Sequence, residues 1–113
     1  MAKGDFVGEF ELYVLLAIAH LGAEAYGIAM RQEIESRTGR EIAIGAIYAT
    51  LGRLEDKGLV RYGLSRPQPV QGGRARKLYA LTPAGTKALR HSTAMLTRMM
   101  EGLEMNPARG RAR

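Results

Sequence analysis

Between Leu12 and Ala19 the apolar residues leave little room for a polar side. Leu12, Leu15, Leu16 and Ala19 recur at helical spacing, while Tyr13, Val14 and Ile18 fill the remaining directions. Periodicity alone leaves a helix and a buried strand open. Glu9 and Glu11 in front and Gly22 behind are start and stop signals, so a buried helix over about 9–21 is expected. A second helix is predicted over about 26–37, burying Met30 and Ile34 and ended by Thr38-Gly39. A third, over about 44–57, stacks Ile47, Leu51 and Leu54 on one face and carries Gly45, Ala49, Gly52 and Arg53 on the other.

After Gly58 the period changes. In Leu59-Val60-Arg61-Tyr62-Gly63-Leu64 the apolar Val60, Tyr62 and Leu64 alternate, which predicts a half-buried strand. The stretch 65–73 holds Pro67, Pro69, Gly72 and Gly73 and forms a hairpin tip, with a return strand over about 76–81. Thr82-Pro83 reads as an N-cap and first helical position, opening a fourth helix to about Glu104. Along it Leu89, Leu96 and Leu103 recur every seven residues with Ser92 and Met99 between them, a seam that needs a partner. The expected fold is mainly α with a small β-hairpin: a winged helix-turn-helix with its N-terminal helix over 1–82, a C-terminal dimerisation helix over 83–105, and a basic disordered tail over 106–113.

A chain of 113 residues forms one such unit, too small for a separate ligand-binding domain. Its 17 Lys and Arg against 11 Asp and Glu give a formal charge of +6, and the placement of the charge says more than its size. Arg61, Arg66, Arg74, Arg76 and Lys77 cluster around the hairpin with no acid among them, and Arg109, Arg111 and Arg113 follow in the tail. A short helix stopping at a glycine and running into a positive β-ribbon has the layout that grips double-stranded DNA. Without cysteine there are no disulfides and no thiolate ligands, in keeping with a reducing compartment. The apolar run is far below the roughly 20 residues of a membrane span, so a soluble, cytoplasmic protein without a membrane partner is expected. His20 and His91 lack acidic or cysteine companions at ligand spacing, so metal or catalytic roles, and any cofactor, are not expected.

Four blocks, taken in order, resemble the PadR family of bacterial transcriptional regulators. They are Gly8-Glu9-Phe10-Glu11-Leu12-Tyr13-Val14-Leu15, then Tyr26-Gly27-Ile28, then Ile47-Tyr48 through Gly58-Leu59-Val60, and finally Gly73-Arg74-Ala75-Arg76-Lys77-Leu78-Tyr79 through Gly85. The chain departs from the family pattern at Ile44, near a usual serine or threonine, and at Ala49, where a proline is usual. The first departure removes a hydroxyl available for helix capping and a phosphate contact. The resemblance implies a homodimer, paired through its C-terminal helices or through the partner's first helix, acting as a repressor on an inverted-repeat operator.

The candidate DNA-binding residues are Tyr26, Gly45, Ala46, Tyr48, Ala49, Thr50, Arg53, Arg74, Arg76 and Lys77. Tyr48 lies about 100° round the helix from Ile47, where its hydroxyl either reaches a phosphate or the ring covers the core edge. Arg53 either reads guanine, pins the backbone, or is a solvated helix arginine. Gly45, Ala46 and Ala49 offer no polar atoms but allow close approach and methyl contacts with thymine, so phosphate contacts should carry much of the affinity. Arg76 and Lys77 are adjacent on a strand and must face opposite ways. Phe10, Tyr13, Leu89, Ser92, Leu96, Met99 and Leu103 are the candidate dimer interface. Met95, Met99, Met100 and Met105, with Phe6, Phe10 and Tyr13, either line a small-molecule effector pocket or form plain interface. A protein-interaction module built on the same winged helix is the alternative function.

Overall fold

In a computed structural model, which describes residues 7–65 and 76–104, three helices pack around one core and lead into a hairpin and a fourth helix. Helix α1 spans Glu9–Leu21, a 3-10 turn follows at Gly22–Glu24, and α2 spans Gly27–Thr38 and α3 Ile44–Asp56. Strands β1 (Val60–Leu64) and β2 (Lys77–Leu81) pair antiparallel, and α4 runs over Pro83–Met100. The helix and strand types match the sequence pattern, with ends moved by a residue or two except in α4.

Local chemistry accounts for the boundaries. Gly39 ends α2 in the left-handed region at φ 75°, its N–H returning to the Glu35 carbonyl. Gly58, at φ 76°, turns the chain from α3 into β1, a conformation that a residue with a Cβ adopts only at a cost. Thr82 caps α4 by accepting the Gly85 N–H at 2.9 Å, with Pro83 in the first turn. Helix α3 has Ala43 at its N-cap and therefore no side-chain cap, while Ile44 is its first helical residue.

Val14, Leu15 and Ile18 of α1, Met30 and Ile34 of α2, and Ile47, Leu51 and Leu54 of α3 form the centre of the core. Leu59, Val60 and Tyr79 extend it under the hairpin, and Ala88 seals it from α4. The hairpin is fastened to the core at its base: Tyr79 N–H donates to the Ala25 carbonyl at 3.0 Å, and Leu78 bridges to Tyr26.

Two expectations need correction. Tyr62 and Leu64 are not half-buried with Val60, being 45% and 70% exposed. The register pairs Val60 with Leu81 over the core, but Leu64 with Lys77 beyond it, so the strand outruns the surface it was expected to cover. Helix α4 stops at Met100 instead of continuing to Glu104, because Gly102 takes φ 86° and Leu103 folds back to donate to the Met100 carbonyl. Leu103 therefore leaves the helical seam. The basic tail over 106–113 lies outside the described residues.

Candidate nucleic-acid interface

Helix geometry sorts the side chains of α3. Ile47, Leu51 and Leu54 face the core, which leaves Gly45, Ala49 and Gly52 as an exposed stripe on the opposite side. The stripe is open at its two glycines: an added Cβ on Gly45 or Gly52 meets nothing within 4 Å. The stripe is exposed and carries no polar side-chain atom.

Its two flanks differ. On the side of α2, Tyr48 is 45% exposed and its ring lies across Gly27, where a Cβ would stand 2.5 Å from the phenol oxygen. Gly27 is thus the residue that lets the tyrosine sit at the start of α2, beside a helix N-terminus with no side-chain cap. Tyr26 is half-buried and carries the Arg76 guanidinium 4.1 Å above its ring. Tyr48, the first turn of α2 and Arg76 together offer a phenol hydroxyl, backbone N–H groups and a cation around one edge of α3.

On the side of α1, Arg53 is braced. Its Nη2 donates to Thr50 Oγ1 at 2.9 Å and its Nε lies 3.6 Å from Glu11 Oε2, while 56% of its side chain remains exposed. Thr50 itself is corrected as a surface contact: it is 1% exposed, and its hydroxyl serves Arg53. Ala46 is exposed on this flank beside Arg40, whose guanidinium lies 5.5 Å from the Phe10 ring centroid and 5.9 Å from that of Tyr13.

The wing cations diverge as strand alternation demands. Arg76 covers Tyr26, whereas Lys77 Nζ lies 4.3 Å from the Tyr62 ring on the other side. Arg74 lies outside the described residues.

Glu11 and Arg40 were not singled out in the sequence as site residues, nor was Lys57. Glu11 accepts Lys57 Nζ at 2.8 Å and the Gly8 N–H at 2.9 Å. Burial pushes its carboxyl up, but the Lys57 and Gly8 hydrogen bonds and the charges of Lys57 and Arg53 outweigh that and hold it below the ordinary glutamate value. Lys57 is 46 positions away in the chain, and no local pattern announces the pair. The Tyr79 hydroxyl is pushed up to about 12, chiefly by burial and then by Glu55 and the neighbouring tyrosines.

The face formed by α1 and α4 is different in kind. An apolar groove of about 560 Å³ is lined by Leu12, Tyr13, His91, Met95, Leu96 and Met99, with Ser92 at its side. Leu96 and Met99 are 50% and 79% exposed there, whereas Leu89, Phe10 and Tyr13 lean on the chain's own core. Met100 is exposed, and Phe6 and Met105 lie outside the described residues. Among the described residues there is no group of metal-ligating side chains, and no helix is long and apolar enough to cross a membrane.

Three helices followed by a two-stranded wing define the winged helix-turn-helix class. The sequence pattern of the transcriptional regulator PadR-like family matches residues 15–91, and the chain belongs to that family. It is 45% identical over 78 residues to the transcriptional regulator Rv3488 of Mycobacterium tuberculosis (strain ATCC 25618 / H37Rv), covering 67% of this chain and 68% of that one. Among solved structures, a PadR family transcriptional regulator from Eggerthella lenta DSM 2243 superposes with a TM-score of 0.62 at 29% identity, covering 86% of this chain and 89% of that chain. The PadR-like regulator BC4206 from Bacillus cereus strain ATCC 14579 shares the fold, with a TM-score of 0.64 at 22% identity over 86% of this chain and 92% of that one. The protein is a transcriptional regulator of the PadR family.

Proposed function

We propose that this regulator is a homodimeric repressor that binds an inverted-repeat operator in double-stranded DNA and is released by a small-molecule effector. The observation that carries the reading is the edge of α3: a stripe of Gly45, Ala49 and Gly52 framed by Tyr48 and Arg53, with Arg76 of the wing alongside Tyr26. Such a surface fits a groove by shape and holds phosphates by charge, while little of it reads bases. Leu96 and Met99, exposed on α4 beside α1, supply the apolar face for a second subunit, and the groove they line is where an effector would lodge.

Electrophoretic retardation of the protein's own promoter DNA, titrated with salt, tests the reading. If each of two protomers engages about four phosphates, log K falls with log salt at a slope near ~7. No retardation at low salt refutes it. Exposed Tyr62 and Leu64 on the wing favour a second reading, a protein-interaction module. Neutralising Arg76 and Lys77 separates the two, because it abolishes DNA retardation but leaves docking on a protein intact.

A further inference from the structure

We propose that Glu11 is a positioning residue for DNA recognition, fixing from the first turn of α1 where the Arg53 guanidinium lies on the flank of α3; this rests on the DNA-binding reading above. Capping α1 requires only that a carboxylate oxygen reach the Gly8 N–H, which an exposed glutamate at the third helical position does equally well. Glu11 does more. Its side chain is only 9% exposed, enclosed against α3. Lys57 and Gly8 both donate to Oε1, so that Oε2 is the oxygen turned to Arg53 at 3.6 Å.

The neighbouring Nη2 of the same guanidinium donates to Thr50, which is buried. Arg53 thereby meets an enclosed carboxylate through Nε and an enclosed hydroxyl through Nη2, with its exposed portion beside the Ala46 and Ala49 surface. An arginine held this way has already lost the rotamer freedom that a solvated one loses on binding, which is how preorganisation raises discrimination. The bareness of the stripe makes that more consequential, since Gly45, Ala49 and Gly52 bring no side-chain donor or acceptor of their own. The same carboxylate is bonded to Gly8, on the wall of the α1–α4 groove, so the first turn of α1 and Arg53 are mechanically joined.

Glu11→Gln preserves length and an acceptor for Gly8 while removing the charge. The assay uses a duplex selected from a randomised pool by the wild-type protein, and a scrambled duplex of equal composition. Specificity is the ratio of the two affinities, measured for wild type, Glu11→Gln, Arg53→Ala and the double variant.

The expected result is a loss of about tenfold in the ratio for each single variant, with the double variant no worse than Arg53→Ala and scrambled-duplex affinity nearly constant. The proposal is overturned if Glu11→Gln leaves the ratio unchanged, lowers both affinities alike, or lowers the ratio equally in the Arg53→Ala background. It is also overturned if Arg53→Ala leaves the ratio intact. Should Glu11→Gln be unfolded at the assay temperature, Glu11→Asp, which keeps the charge but draws it back by one methylene, enters the same cycle under the same criteria. A wild-type protein that selects no duplex defeats the DNA-binding reading itself, an outcome distinct from additive variants.

Discussion

Gly85→Ala attacks the joint through which α4 is attached to the segment that follows α3. A Cβ at position 85 would stand 1.9 Å from the Leu59 carbonyl oxygen and 2.9 Å from its carbon. Both are backbone, and the segment is tied down: Thr82 N–H donates to that same carbonyl at 3.0 Å, and Thr82 Oγ1 donates to the Gly58 carbonyl at 2.7 Å. Restoring ordinary contact near ~3.5 Å requires the first turn of α4 to retreat by roughly 1.5 Å.

That retreat breaks the two Thr82 hydrogen bonds, at about 1 kcal/mol each, and strains the Thr82 cap, worth about 1 kcal/mol. Loosened packing of Ala88 against the core adds roughly 1 kcal/mol, and the better helix propensity of alanine returns about 1 kcal/mol. The net loss is about 2–3 kcal/mol, which for a domain of this size lowers Tm by roughly 8–12 °C. Thermal unfolding followed by circular dichroism measures it. An unchanged or raised Tm would show that α4 does not press on Leu59, and the rigid link between α4 and α3 would have to be abandoned.

Three further outcomes follow from the same geometry. Gly27→Ala pushes the Tyr48 ring aside, a displacement of a flexible side chain, so stability should change by less than about 1 kcal/mol while affinity for DNA drops several-fold at low salt; equal affinity would remove Tyr48 from the interface. Tyr79 is raised above its unfolded value of 10 to about 12, so the stability it contributes is complete below pH 10 and declines as pH rises toward 12. Tyr79→Phe, examined by urea unfolding, should abolish that alkaline decline, and an unaltered pH profile would contradict the assignment. Leu96→Asp places a charge in the exposed α4 face and should give monomers in sedimentation; an intact dimer would reject the seam.

How much of this was visible in the chain depends on how local each cause is. The helix of 9–21, the Gly39 stop and the Thr82-Pro83 start rest on a few neighbouring residues, and they appear where capping and periodicity place them. Tyr62 and Leu64 alternate like buried residues, yet burial depends on how far the core extends beneath the hairpin, which strand periodicity does not encode. Leu103 kept a seven-residue spacing that the turn at Gly102 interrupts.

The bare stripe on α3 was legible, since three small residues at helical spacing need no tertiary information. Thr50 was not: it falls on the border between faces, and only tertiary packing decides which side it joins. Glu11 looked like a helix-start charge because its partner Lys57, at the C-cap of α3, is distant in sequence. Arg40 comes from the connection between α2 and α3, where no periodic signal exists.

In the proposed complex two copies of this chain lay their α3 stripes in successive grooves of one duplex while the wings grip the backbone. Hydroxyl-radical footprinting on a duplex selected by the protein tests it most directly. Two symmetric protected patches with centres about 10 base pairs apart, or a multiple of that turn, flanked by weaker protection that disappears when Arg76 is replaced by alanine, are predicted. A single asymmetric patch, or uniform protection indifferent to Arg76, would contradict the claim.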